Sequence, residues 1–284
     1  MPVITSDVLS EINHPGYSHY HLLDKSLSLE TLSNNYHCHQ KYEIYYYISG
    51  DVSFIVEGNQ YELDKPCFLI IRPMEFHNVV FHSTARYEHF FINFDPEALQ
   101  YIHINEQLLE PILRHPPGTN NLYPVSENGP FHKIFAQLKN AATLPEPERH
   151  MQAEFLLGEL LLQISLKLKH EYTDFTHPQS NTLINDVLTY LNANITENLT
   201  IEQLAGKFFV SKYYLCHLFK KTTNISINEY VLQKRIAMAK RLLESGIRPT
   251  DVATRCGFTG YSTFYRAFKR LTNRKPDDYK QGKN

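Results

Sequence analysis

The last hundred residues carry one helix template twice. Leu215-Cys216-His217-Leu218-Phe219-Lys220-Lys221-Thr222-Thr223-Asn224 recurs 49 residues later as Phe264-Tyr265-Arg266-Ala267-Phe268-Lys269-Arg270-Leu271-Thr272-Asn273. Each copy sets apolar residues at helical spacing (Leu215, Leu218 and Phe219; Phe264, Ala267 and Phe268) and follows them with a basic pair. Each closes on Asn, which tolerates the left-handed conformation of a helix C-cap.

Both copies have an upstream partner that reads as a shorter helix and a tight turn. Thr200 can N-cap a helix through Ile201-Glu202-Gln203-Leu204-Ala205, and Ser211 can cap the next. In the second unit Pro249 suits a first helical turn, Val252-Ala253 supply the buried side, and Gly257-Phe258 make the turn. Helix, turn, helix, with a small Ala facing its neighbour, is the helix-turn-helix pattern.

Charge separates this module from the rest. Residues 181–284 hold 17 Lys+Arg against 8 Asp+Glu, or +9, whereas residues 1–180 hold 11 against 22, or −11, so the whole-chain balance of −2 hides the contrast. A compact basic module with two helix-turn-helix units is the electrostatic footprint of a DNA binder.

Residues 181–280 resemble the DNA-binding domain of the AraC/XylS transcription regulators. The resemblance runs through Leu199-Thr200-Ile201-Glu202-Gln203-Leu204-Ala205, Ser211-Lys212-Tyr213-Tyr214-Leu215 and Phe219-Lys220-Lys221. It continues through Tyr230, Arg235, Ala239, Leu242-Leu243, Gly257-Phe258, Phe264, Arg266, Phe268-Lys269, Pro276 and Tyr279. Ser226 can cap a connecting helix to about Ser245 with Gly246 as its stop, a length of roughly 28 Å at 1.5 Å per residue. That length can hold two recognition helices about one DNA turn (~34 Å) apart, so that one monomer reads a long, non-palindromic site.

By position in the family motif, the first recognition helix offers Tyr213, Cys216 and His217 to bases, and the second offers Tyr261, Ser262, Tyr265 and Arg266. A guanidinium can make a bidentate contact with guanine O6 and N7, which singles out Arg266. The family pattern often has Arg where His217 stands, so weaker or apolar readout is expected of the first helix. Lys212, Lys220, Lys221, Lys269 and Arg270 are expected to meet phosphates, adding affinity and salt dependence without sequence information. The plainer reading is a solvated basic face, with Tyr213 and Tyr265 as packing residues.

The N-terminal half has another grammar. Glu43–Ile48, Ser53–Val56, Phe68–Ile71 and His89–Phe94 are short apolar segments, with bends at Ser49-Gly50-Asp51 and Glu57-Gly58-Asn59. Strands at this spacing, from about residue 16 to 95, predict a small antiparallel barrel or sandwich. Within it, His37-Cys38-His39-Gln40-Lys41-Tyr42-Glu43, then Gly50, Pro73 and His77, resemble the two cupin motifs and the sensor half of many AraC-family regulators. The second motif departs: Glu75 stands where cupins often have Gly, and the interval to His77 is one residue short.

Residues 37, 39 and 43 share strand parity, so His37, His39 and Glu43 can point to one side, as can Tyr45 and Tyr47. Three readings are open. His37, His39, Glu43 and His77 can hold a divalent iron, manganese or zinc ion. The same groups with Tyr45 and Arg72 can line a pocket for a small polar effector such as a sugar. They can also be satisfied barrel residues without a ligand. Regulators with effector-binding, metal-free barrels favour the second reading, and no cofactor is expected. Fourteen of the 15 histidines precede residue 181, which points weakly the same way.

Phe131–Ala142 and Glu148–His170 read as helices separated by Leu144-Pro145-Glu146-Pro147. Leu157, Leu161, Ile164 and Leu168 follow 4-3-4 spacing, widened by Leu156 and Leu160. The stripe is either intrachain core or a dimer seam, and the family resemblance raises the second possibility. Glu171–Ser180 looks like an interdomain linker.

The expected fold is therefore α+β and multidomain. Residues 1–175 form a cupin-like antiparallel β-barrel domain (barrel about 16–95, flanking helices about 105–170) for effector binding and dimerisation. Residues 181–284 form an all-α double helix-turn-helix domain. At 284 residues and 42% hydrophobic, the chain is long enough for two cores. Cys38, Cys67, Cys216 and Cys256 show no framework spacing, and no run of about 18 apolar residues exists, so a reduced bacterial cytoplasm, on the nucleoid and away from the membrane, is expected. The expected function is that of a transcription regulator, an activator and not an enzyme, acting as a homodimer on double-stranded DNA and meeting RNA polymerase. A metal-dependent cupin enzyme tethered to DNA is the alternative, and a constitutive DNA-bending protein with a vestigial barrel is a third class.

Overall fold

The computed structural model describes residues 5–14, 16–25, 36–95, 107, 110–113, 118–126, 129–170 and 182–279. By contact they fall into two units, Met1–Asn35 with Lys41–Gln179, and Tyr36–Gln40 with Ser180–Asn284. The expected linker at 171–180 lies outside the described residues.

Strands β1 (Thr5–His14), β2 (Tyr17–Lys25), β3 (Tyr42–Ser49), β4 (Val52–Val56), β5 (Asn59–Leu63), β6 (Cys67–Ile71), β7 (His77–Phe81), β8 (Tyr87–Phe94) and β9 (Leu122–Pro124) build the first unit. One sheet runs β1-β2-β8-β3-β6-β9 and the other β5-β4-β7, and the pairings are antiparallel. The four expected strands are β3, β4, β6 and β8. β1 begins ahead of the anticipated start near residue 16.

Alternation along β3 fills two cores at once. Tyr42, Ile44 and Tyr46 join the core beneath the helices, while Tyr45 and Tyr47 join the core between the sheets. Helices α1 (Glu110–Leu113), α2 (Pro130–Ala141) and α3 (Glu148–His170) belong to this unit. Tyr46 stacks on Phe135 of α2 at 4.4 Å, and Phe68 stacks on Phe131 at 4.6 Å.

The apolar stripe of α3 needs a correction. Leu157, Leu161, Ile164 and Leu168 are buried in the core under the large sheet, so they are intrachain packing and no seam for a second subunit. The opposite face carries Met151, Phe155, Leu162 and Leu166, all exposed, with Phe155 at 70%.

The second unit comprises α4 (Thr182–Ala193), α5 (Ile201–Lys207), α6 (Lys212–Thr223), α7 (Ile227–Glu244), α8 (Pro249–Arg255), α9 (Tyr261–Thr272) and a 3-10 turn at Pro276–Tyr279. Its ends are written in the sequence. Thr200 and Gln203 form a reciprocal capping box, and the hydroxyls of Ser211 and Ser226 accept from the N–H groups of Tyr214 and Glu229. Asn224 and Asn273 end α6 and α9 with φ of 60° and 57°.

Two apolar clusters support the two helix-turn-helix units. Leu204, Ala205, Leu215, Phe219 and Tyr230 are buried in the first, where Phe219 meets Tyr230 edge-on at 5.8 Å. Val252, Ala253, Cys256, Phe264 and Phe268 pack with Ile236, Ala239 and Leu243 of α7 in the second. Arg235 of α7 fastens the loops together, donating to Ile195 O at 2.8 Å, Gly257 O at 2.6 Å and Glu197 O at 2.7 Å. Gly257 has φ +74°, and a Cβ there would lie 2.2 Å from Thr196 O, so conformation and space both require glycine.

Candidate functional sites

On α6 and α9 the buried residues, Leu215, Phe219 and Thr223 and then Phe264 and Phe268, recur four apart, which leaves the opposite face of each helix outward. Tyr213 and His217 are exposed on α6, with Cys216 half-buried. On α9, Tyr261, Ser262 and Arg266 are exposed, and Tyr265 is half-buried. Tyr213 stacks on His217, with ring centroids 6.3 Å apart. Arg266 Nε donates to Ser262 O at 3.4 Å, within its own helix.

The expected phosphate-contacting residues Lys212, Lys220, Lys221, Lys269 and Arg270 are all exposed. Two have carboxylate neighbours. Lys212 pairs with Glu202, which holds that carboxyl below the usual range, and Arg270 lies 3.4 Å from Glu229. Exposed pairs of this kind hold their partners weakly, so both cations stay available to an anion.

One outward residue was not anticipated. Phe209, in the turn between α5 and α6, has φ +55° and is 96% exposed. Its signal is the comparison of the two turns, because Phe209 stands where the second unit has Gly257. The following N–H bonds to the equivalent alanine in both, Val210 to Ala205 O and Phe258 to Ala253 O, each at 3.0 Å.

In the N-terminal unit, Glu43, Tyr45 and Tyr47 alternate on β3 as expected. Glu43 Oε2 lies 3.9 Å from His77 Nε2, both residues are buried, and His77 Nδ1 donates to Glu75 O at 2.9 Å. Tyr45 stacks on His89 at 5.0 Å, His89 on Tyr87 at 4.5 Å, and Phe54 on His77 at 6.1 Å. Burial pushes the His89 imidazole down to about 3, against a smaller opposing effect of Glu43. The Tyr45 hydroxyl is buried with no hydrogen-bond partner among the described residues.

Three expected pocket residues, His37, His39 and Arg72, lie off β3. His37 and His39 precede β3, which begins at Tyr42, so strand parity does not apply to them. They belong by contact to the other unit, with ring centroids 5.8 Å apart.

Arg72 is occupied elsewhere. Its guanidinium donates to Ile112 O at 2.6 Å, Glu75 Oε1 at 3.1 Å, Thr119 O at 3.1 Å and Asn120 O at 3.4 Å. Glu75 also accepts from the N–H groups of Arg72 at 2.7 Å and Gly118 at 2.8 Å, and from Asn121 Nδ2 at 2.9 Å. The residue that broke the cupin motif is the hub of a buried clasp, and Arg72 is its other half. Burial holds the Glu75 carboxyl above its ordinary range, opposed by Arg72 and by the backbone donors.

Two family models match the chain. One, described as an AraC-like ligand binding domain, covers residues 28–164, and the other, a helix-turn-helix domain, covers residues 204–282. The chain is similar to the uncharacterized HTH-type transcriptional regulator YbfI of Bacillus subtilis, 29% identical over 76% of this chain and 78% of that protein. It is 31% identical to the uncharacterized regulator YijO of Escherichia coli over 48% of each. It is 28% identical to the HTH-type transcriptional activator RhaR of Shigella dysenteriae over 52% of each. The chain thus spans about half the length of YijO and RhaR. With an antiparallel, sheet-rich unit under the first model and a doubled helix-turn-helix under the second, the chain belongs to the AraC/XylS family of transcriptional regulators.

Proposed function

We propose that the chain is a sequence-specific DNA-binding transcription regulator whose N-terminal unit, residues 1–175, senses a small polar molecule and whose residues 181–284 bind DNA. The observation that carries it is the pair of like-built recognition helices, joined through α7 and Arg235, with their polar faces outward on a module of charge +9. α7 has 18 residues, about 27 Å at 1.5 Å rise, which suits two helices set one DNA turn apart. Tyr213, Cys216, His217, Tyr261, Ser262, Tyr265 and Arg266 then face bases, and the five exposed cations face phosphates.

The effector reading rests on the buried, unpartnered Tyr45 hydroxyl, on the face of β3 that also carries Glu43, and on the aromatic layer of Phe54, Tyr87 and His89 around Tyr45. Aromatic faces that cover C–H surfaces, with a carboxylate and a hydroxyl to bond O–H groups, suit a sugar. A relative named as a transcriptional activator supports activation, and contact with RNA polymerase belongs to the same proposal. The homodimer is assigned to the exposed face of α3, namely Met151, Phe155, Leu162 and Leu166, in place of the buried stripe. The ligand acts only if it binds two arrangements of the protein with different affinity.

The test is recovery of genomic DNA fragments by the full-length protein with and without candidate sugars. Discrete fragments, and a footprint or transcript level that changes with one sugar in wild type but not in Tyr45→Phe, are expected. Diffuse binding that falls with salt and ignores both the sugars and Arg266→Ala would overturn the reading.

A further inference from the structure

The two recognition helices present different chemistry at matching positions. Setting Leu215 against Phe264 places Tyr213 against Ser262, Cys216 against Tyr265 and His217 against Arg266. α9 therefore offers DNA an exposed guanidinium with serine and tyrosine beside it. α6 has no arginine, and its exposed start is aromatic: Tyr213 is 81% exposed and stacks on His217.

Phe209 adds a further exposed ring in the turn ahead of α6. It lies two residues before the N-cap Ser211, at the end of α6 where a recognition helix meets base edges. A phenylalanine in the left-handed region is strained, and a ring left in water returns no burial energy. Folding alone favours glycine there, as at Gly257 in the second turn. The ring must gain its contact from something outside the unit.

We propose that the operator is chemically split, a step that rests on the DNA-binding reading above. α9 reads guanine through Arg266. α6, with Phe209, Tyr213 and His217, reads a thymine-rich segment through the 5-methyl groups that thymine presents in the major groove. Apolar rings gain by covering a methyl group. Over guanine the same rings would strip water from O6 and N7 without the paired donors that an arginine supplies, which disfavours G·C pairs in that half.

The test selects binding duplexes from a random pool with the full-length chain, then replaces thymidine by deoxyuridine in one half at a time. The half that loses its base preference in Arg266→Ala is the one under α9. Removing methyls in the other half is expected to weaken binding about fourfold per contacted methyl, and in the Arg266 half by less than twofold. Tyr213→Ala should abolish the methyl effect, while Tyr213→Phe keeps it. Phe209→Gly should weaken binding to the thymine half while its melting temperature stays level or rises.

A required guanine in the half insensitive to Arg266→Ala, with no effect of methyl removal there, overturns the proposal while leaving sequence-specific binding intact. A fall in the melting temperature of Phe209→Gly with unchanged affinity removes Phe209 from it. If no sequence is selected at all, the DNA-binding reading fails first.

Discussion

Arg72 Nη1 lies 3.1 Å from Glu75 Oε1, both residues are buried, and the guanidinium also donates to the backbone carbonyls of Ile112, Thr119 and Asn120. The pair therefore stitches a distant segment to the start of β7. Glu75→Ala would leave a buried guanidinium charge and the N–H groups of Arg72 and Gly118 without their acceptor. It is expected to destabilise the N-terminal unit by about 3–5 kcal/mol, read as a lower urea midpoint for near-ultraviolet tyrosine signals. A loss below 1 kcal/mol would show that water replaces the carboxylate freely.

Two buried histidines set a lower pH limit. Burial holds His19 and His89 down at about 3, well below the ordinary 6.5, so the folded state keeps both neutral. The unfolded state takes up those protons first, so their contribution is present above pH 6.5 and is lost as pH falls from there toward 3. The expected slope is ~1.4 kcal/mol per histidine per pH unit below about 5.5. Glu75, held above its ordinary range, acts in the opposite sense: its contribution is present below 4.5 and is lost as pH rises through its raised value. His89→Phe isolates one histidine and should remove one such increment of slope between pH 3.5 and 5.5. An unchanged slope in denaturation midpoints would show that His89 is protonated in the fold.

Gly257→Ala is expected to cost the second helix-turn-helix more than 2 kcal/mol. The added Cβ would strike Thr196 O, and alanine is disfavoured at φ +74°. Amide hydrogen exchange should show faster exchange in α8 and α9 than in α5 and α6. Equal protection in the two pairs would contradict a strain confined to that turn.

The two faces of α3 should separate assembly from folding. Phe155→Asp, on the exposed face, is expected to leave the melting temperature within a few degrees while shifting a dimer toward monomer by sedimentation. Leu161→Asp, with its side chain fully buried, is expected to unfold the N-terminal unit. A Phe155→Asp protein that sediments like wild type would remove this face as the assembly surface.

The two halves of the chain were legible to different degrees for physical reasons. Thr200, Ser211, Ser226, Asn224 and Asn273 act on backbone groups within four residues, so the helix ends of the C-terminal unit follow from local chemistry. β3 and β6 are buried on both faces and stand out as apolar runs. β5 instead is five residues long, starts at Asn59 inside the expected bend, and exposes Gln60 and Glu62, so it has no apolar run to mark it. Arg72 looked like a ligand-binding arginine because its partners, the carbonyls of Ile112, Thr119 and Asn120, are 40 to 48 residues away. Parity failed for His37 and His39 because it holds only inside a strand, and β3 starts at Tyr42. On α3 the stripe was visible, but which of its two apolar faces met the sheet depended on tertiary packing.

If one monomer reads two successive major grooves, hydroxyl-radical footprinting of the full-length protein on a duplex it selects will show both. Two protected blocks on one face of the duplex, about 10.5 base pairs apart, are expected, with Arg266→Ala weakening only one. A single protected block, or two that weaken together in that variant, would contradict it.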